Sequence, residues 1–264
     1  MKLRSRVLET ANDLLRPLGL RLQRTNATGR SFADFFTHLK SLGMTFETVI
    51  DVGVATGTPE IYRAFPNATY FLVEPLTEFE GVLKELQQTL SAHYFAAAAG
   101  AVNGETTINV HGHLSGSSLL RQAEGPLLDG APRIIPVRRL DGLLPADVVQ
   151  PCLLKIDTQG TELEVVEGLG TRIDSIDVML IETSLLPFRE GTAQLFDVVA
   201  DLKARGFVVY DVIGGHCRAL DNALAQVDLV LIPENHRLRQ DARFFSDAQL
   251  HEYMAAAPRK RRAL

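Results

Sequence analysis

The residues best equipped for chemistry are two glycines, Gly53 and Gly57, and four carboxylates that stand in or directly after apolar runs: Asp51, Glu74, Asp157 and Glu182. The glycines belong to Asp51-Val52-Gly53-Val54-Ala55-Thr56-Gly57-Thr58, a stretch in which backbone without side chains can approach a ligand. Thr58 is placed to cap a following helix, Pro59 suits its first position and Glu60 the positive end of its dipole. Such a turn receives a carboxylate or a phosphate. Glu74 closes the next apolar run about twenty positions later, where a carboxylate grips a ribose diol. A dinucleotide fingerprint asks for a glycine two residues after Gly53, and this chain has Ala55 there. S-adenosylmethionine has no pyrophosphate to admit; its ribose would meet Glu74 and its methionine part would lie over the Gly53 to Gly57 turn, so that Asp51, Gly53, Ala55, Gly57, Thr58, Glu74 and Pro75 are the expected cofactor residues. Taken alone, the glycines fit a plain strand-to-helix connection equally well.

These residues need a common sheet edge. The β-branched run Thr48, Val49, Ile50 predicts a buried strand, with a helix from Thr58 to about residue 65 and a second strand over 69–75. Pro75 opens a helix whose Leu76, Phe79, Val82, Leu83, Leu86 and Leu90 share a face. A third strand covers 93–98, and Asn103-Gly104 signals a hairpin before a strand over 106–110. Residues 111–132 are irregular; His111, His113 and the serines at 115, 117 and 118 could line a polar pocket or simply face solvent. A strand over 133–140 follows, with Asp141 capping a short turn. The second half alternates strands at 152–157, 177–182, 206–212 and 226–233 with helices at 161–169 and 193–205. That alternation predicts an α/β fold with a mostly parallel, doubly wound sheet. Its right-handed crossovers place Gly53, Glu74, Asp157 and Glu182 on one edge, the edge where ligands bind.

Outside this region the organisation is simpler. Residues 1–18 read as a basic amphipathic helix, with Leu3, Val7, Ala11, Leu14 and Leu18 on one face, ended by Pro17 and Gly19. It would pack on the flank of the domain or rest on an anionic membrane surface. A linker leads to a helix over 32–42, stopped by Gly43. A terminal helix is expected over 244–254, and Arg259-Lys260-Arg261-Arg262 reads as a solvated end. The expected domains are therefore 1–45, 46–235 and 236–264.

The totals set limits on partners. With 264 residues, 46% of them hydrophobic and 22% charged, the chain can bury a large core. A formal charge of -5 offers no general attraction to nucleic acid, which is not an expected partner. Two cysteines make no disulfide framework, no apolar run is long enough to span a bilayer, and no secretory signal opens the chain. The cytoplasm, with peripheral membrane contact through residues 1–18 as a variant, is the expected compartment.

Taken together, Asp51 to Thr58, Leu72-Val73-Glu74-Pro75, Leu154-Lys155-Ile156-Asp157-Thr158-Gln159-Gly160-Thr161-Glu162-Leu163 and Leu180-Ile181-Glu182 resemble the FkbM-type S-adenosylmethionine-dependent methyltransferases. The resemblance runs from about residue 46 to 233, and the Lys-Ile-Asp-x-x-Gly-x-Glu block is its most specific part. It implies a class I, Rossmann-like sheet of seven strands in the order 3-2-1-4-5-7-6 with the last antiparallel. It also implies methyl transfer to a hydroxyl of a sugar, glycolipid or polyketide-like acceptor. That chemistry needs the hydroxyl in line with the methyl carbon and a base for its proton. Asp157 is the expected base, and Glu182 the residue that orients the acceptor. Lys155, two residues earlier on the same strand face, either pairs with a carboxylate or passes the sheet edge to solvent. Glu162 opens the next helix, where it would at least complement the dipole. No dedicated metal ligand set is apparent, although Asp157 and Glu182 could share a Mg²⁺. A nicotinamide-dependent oxidoreductase and a non-catalytic binding module are the alternatives.

Overall fold

The computed structural model describes residues 29–256 together with Ala11, Leu14 and Leu15. The remainder of the basic run at 1–18 and the tail at 259–262 lie outside the described residues. The chain divides into two compact units, 1–233 and 234–264.

In the first unit, Ser31 and Asp34 form a capping box that starts α1 (Phe32–Ser41), and Phe35, Phe36 and Leu39 bury its inner face. Phe36 meets Phe65 edge-on, so this helix, expected in an N-terminal extension, is packed into the first unit. β1 (Thr48–Val52) is buried along its whole length, and its parallel neighbours are β2 (Thr69–Val73) and, much later in the chain, β7 (Cys152–Ile156). α2 (Pro59–Ala64) starts at the expected proline, but the Thr58 side chain does not cap it. Its hydroxyl donates instead to Asp51 Oδ2 at 3.3 Å, because a fully buried carboxylate has the greater need for donors. α3 (Glu80–Thr89) begins later than Pro75: the Glu74 side chain holds the Leu76 amide in extended backbone, and a 3₁₀ turn over Thr77–Phe79 intervenes. β3 (Ser91–Phe95) then completes one half of the sheet.

A small second sheet interrupts the alternation. Its strands β4 (Ala98–Ala99), β5 (Gly104–Val110) and β6 (Ala131–Arg138) stand in the order β4-β6-β5. Asn103-Gly104 therefore does not close a hairpin between adjacent strands. Gly104 pairs with Val137, and Asn103 Oδ1 accepts from the Arg139 amide, so long-range pairing overrides the local turn signal. Asp141 does not cap the short helix α4 (Leu140–Leu143) either; it sits in the first turn, paired with Arg139 at 2.6 Å.

The second half adds α5 (Glu162–Glu167), β8 (Val178–Ser184), α6 (Leu195–Ala204), β9 (Phe207–Cys217) and β10 (Leu224–Pro233). The seven-stranded order is β3-β2-β1-β7-β8-β10-β9, with β10 antiparallel to both neighbours, which is the class I methyltransferase arrangement. β9 runs past its expected end at 212 because β10 continues to pair with it as far as Cys217. β8 likewise continues to Ser184, so Glu182 lies inside the strand rather than at its end. The chain winds outward from β1 to β3 and resumes at β7 on the other side of β1. The crevice between β1 and β7 is therefore the topological switch point where such sheets bind ligands.

In the second unit, Ser246 and Gln249 exchange hydrogen bonds that fix the start of α7 (Asp247–Ala256), later than residue 244. Phe245 stacks on Tyr253 and meets Phe244 edge-on. Among the described residues, no helix is long and apolar enough to cross a membrane.

Candidate active site

At the switch point the ends of β1 and β7 touch. Gly53 has φ +73, and a Cβ built on it would lie 1.8 Å from the Asp157 carbonyl oxygen. This glycine clears room for the neighbouring strand's backbone as well as for a ligand. Ala55, at φ +47, is held in the left-handed region by its amide, which donates to Glu74 Oε2 at 2.9 Å. Glu74 Oε1 accepts from the Leu76 amide at 2.9 Å. One buried carboxylate thus ties the turn after β1 to the exit of β2. Burial pushes its pKa above the ordinary carboxylate value, against the pull of the two amides. Each oxygen retains a lone pair beyond these bonds. Gly53, Ala55, Glu74 and Pro75 line a cleft whose other walls include the apolar Phe79 and Ile108.

Asp51 lies beneath this turn with no exposed surface. Oδ2 accepts from Tyr62 at 2.8 Å, and Oδ1 stands 3.4 Å from Lys155 Nζ without a hydrogen bond of its own. Lys155 is paired rather than directed to solvent: Nζ is 3.5 Å from Asp157 Oδ2 and donates to the Gly53 carbonyl at 3.2 Å. Burial works to lower the lysine's pKa, but Asp51 and Asp157 outweigh it and hold the value above the ordinary one. The ammonium therefore joins both strand ends and the turn between them. Gly57 and Thr58 line a second cleft together with Lys155, Asp157, Glu182 and Asp228.

Gln159 completes the arrangement. Its backbone is left-handed at φ 60, and its Nε2 donates to both Asp157 Oδ1 and Glu182 Oε2 at 2.8 Å. Gln226 Nε2 donates to the same Glu182 oxygen at 2.8 Å. Burial, with Asp157 adding to it, pushes the Glu182 pKa up to about 9, and the same two causes raise Asp228 to about 6. That shift favours the protonated form of Glu182, which is able to donate a hydrogen bond. Glu162 does more than face the helix dipole. Its buried Oε1 accepts from the Thr158 and Gly160 amides at 3.1 and 2.9 Å, shaping the loop that carries Gln159.

The model of the methyltransferase FkbM domain family matches residues 51–209, more than half of the chain and all of the site just described except Gln226 and Asp228. The chain belongs to this family. No curated protein matches it in sequence. Among solved structures, it is similar to the precorrin-6y C5,15-methyltransferase of Geobacter metallireducens GS-15, at 14% identity over 78% of this chain and 93% of that one, with a TM-score of 0.40. It is also similar to the N-methyltransferase NodS of Bradyrhizobium japonicum WM9, at 6% identity over 76% and 94%, with a TM-score of 0.44. A third is the 1,6-didemethyltoxoflavin-N1-methyltransferase of Burkholderia thailandensis, at 11% identity over 76% of each chain and a TM-score of 0.39.

In this FkbM methyltransferase the other expected site residues lie around the switch point, but Asp51, expected at the cofactor, is sealed beneath the turn, where Thr58, Tyr62 and Lys155 surround its carboxylate. Several others take part that sequence reasoning did not single out. Gln159 was within the Lys-Ile-Asp-x-x-Gly-x-Glu block, but nothing in its type marked it as a bridge between carboxylates. Gln226 and Asp228 carried a signal, since they are polar positions in an otherwise apolar strand. Arg189 gave none, because its neighbours in sequence are ordinary loop residues. Among the described residues, no group of three His, Cys, Asp or Glu side chains is placed to hold a metal ion.

Proposed function

We propose that this FkbM methyltransferase moves a methyl group from S-adenosylmethionine to a hydroxyl of a sugar, glycolipid or polyketide-like acceptor, with Asp157 taking the hydroxyl proton. The observation that carries this reading is that Asp157 lines three adjoining clefts. It faces the Glu74 cleft, the Lys155 and Glu182 cleft, and a third lined by His111, His113, Gln159, Arg189 and Gln226. A carboxylate at that junction is within reach of a cofactor on one side and an acceptor on the other. The residues of the first cleft fit the cofactor: Glu74 offers free lone pairs to a ribose diol, the glycine turn offers open backbone, and Phe79 and Ile108 offer an apolar wall to a flat base. When bound, S-adenosylmethionine supplies an electrophilic methyl carbon on a cationic sulfur. The protein's part is placement and proton handling. Lys155 fixes the Asp157 carboxylate, Gln159 sets its rotation, and protonated Glu182 can donate to the acceptor oxygen.

Gln159 also favours the metal-free form of this chemistry, because its amide nitrogen occupies the position between Asp157 and Glu182 that a shared cation would take. Calorimetric titration with S-adenosylhomocysteine and with NAD tests the cofactor, and tight binding of the first with no response to the second is expected. Asp157→Asn should keep the fold and the cofactor affinity but lose roughly 10²- to 10⁴-fold in rate. Near-normal turnover by that variant would remove Asp157 from the reaction. Loss of activity in EDTA would restore the metal form.

A further inference from the structure

Arg189 is a largely buried cation, 8% exposed, that makes no direct ion pair among the described residues; Glu162, Glu182 and Asp157 act on it from beyond contact distance. Its Nη2 donates to Gln159 Oε1 at 2.9 Å and to the Gly116 carbonyl at 3.3 Å. Its Nε is buried with no partner, and no hydrogen bond from Nη1 is formed among the described residues. Desolvation lowers its pKa, yet a guanidinium remains charged at any physiological pH. A guanidinium this buried, with an unbonded Nε and no carboxylate in direct contact, points to an anion that arrives with a ligand.

The backbone around Arg189 is fixed in advance. Its segment forms an antiparallel bridge with Gln122, the Ala123 amide donates to the Phe188 carbonyl at 2.9 Å, and the Glu190 amide donates to the Arg121 carbonyl at 2.9 Å. The side chain thus reaches this third cleft from a braced loop, with His111, His113 and His216 also on its walls. This cleft is distinct from the one lined by Glu74, and Asp157 is common to both. Repulsion between an incoming anion and the site's carboxylates is reduced because the protonated form of Glu182 is favoured.

From these observations we infer that the cleft lined by Arg189 is an oxyanion subsite, and that the acceptor carries a phosphate or carboxylate group close to the hydroxyl to be methylated. A forked donor set suits both groups. The inference rests on the reading of Asp157 as the reacting end of the acceptor site and narrows the acceptor to acidic or phosphorylated hydroxyl compounds. Because Arg189 also holds Gln159, which touches Asp157, arrival of the anion would tighten the residues that set the base.

The test uses the full chain, with inorganic phosphate and acetate as probes followed by ligand line broadening in NMR, and S-adenosylhomocysteine followed by calorimetry. Wild type should bind at least one anion, and competition between the two identifies which group is preferred. Arg189→Met should weaken that binding at least tenfold, leave S-adenosylhomocysteine affinity within twofold, and melt at the same temperature or higher, since a buried charge with no direct ion pair has been removed. Arg189→Lys should recover part of the binding and serves if the methionine variant does not fold. Absence of anion binding by wild type, or anion binding by Arg189→Met equal to that of wild type, would overturn the proposal. So would a tenfold loss of S-adenosylhomocysteine affinity, which would assign the guanidinium to the cofactor's own carboxylate. Failure of wild type to bind S-adenosylhomocysteine at all would count against the methyltransferase reading and not against the anion subsite.

Discussion

Glu182 shows how one side chain's role depends on what surrounds it. In sequence it is a carboxylate after a hydrophobic run and resembles Asp157. In the fold it is pressed between Asp157, Asp228 and two glutamine amides, and burial raises its pKa from 4.5 to about 9. The folded value lies above the unfolded one, so between these limits the folded protein keeps a proton that the unfolded chain has released. This group's contribution to stability is therefore complete below pH 4.5 and is lost as the pH rises through 9. Asp228, raised from 3.8 to about 6, adds a loss of the same sign over its own narrower window. Glu182→Gln retains an oxygen to accept from Gln159 and Gln226 but cannot titrate. Urea denaturation from about pH 5 to about pH 9 should show a shallower fall in stability for the variant than for wild type. Parallel curves would mean that Glu182 is ionised in the folded protein.

The turn between β1 and α2 decides where every functional group ends up. Gly53 is left-handed and abuts the Asp157 carbonyl, whereas Gly57, at φ +93, has only the Tyr62 and Leu86 side chains near its missing Cβ. A side chain can give way more readily than a strand end. Gly53→Ala should cost about 1–3 kcal/mol for the backbone conformation and more for the displaced strand, with loss of cofactor binding. Gly57→Ala should cost less, because Tyr62 at 3.0 Å is the nearest obstacle. Denaturation midpoints of the two variants compare them directly, and a Gly53→Ala protein as stable as wild type would refute the close-approach account. The elements also explain which local signals failed. Thr58, Asp141 and Asn103-Gly104 each had the right residue type for a cap or a hairpin, but each was recruited by a partner distant in sequence or in a different geometry.

At the scale of the molecule, we expect the basic run at 1–18 to act apart from the chemistry. Leu3, Val7, Ala11, Leu14 and Leu18 recur at helical spacing in the sequence, and Lys2, Arg4, Arg6 and Arg16 supply the charge that an otherwise acidic chain would need at an anionic bilayer. Deleting it should leave S-adenosylhomocysteine affinity unchanged while reducing co-sedimentation with vesicles that contain anionic lipid. Equal sedimentation of the two proteins would assign the helix to the flank of the domain. The sequence by itself determined the alternation of strands and helices, the seven-stranded order through the family resemblance, and the edge on which Gly53, Glu74, Asp157 and Glu182 meet. These follow from hydrophobic period, glycine placement and the handedness of crossovers, all of which are local or general rules. Only the tertiary structure decided that Asp51 is sealed beneath the turn, that Lys155 joins two aspartates, that Gln159 bridges two carboxylates and that Arg189 is buried with no direct ion pair among the described residues. Each depends on burial and on partners brought together from distant segments, and desolvation has no signature in residue type or spacing.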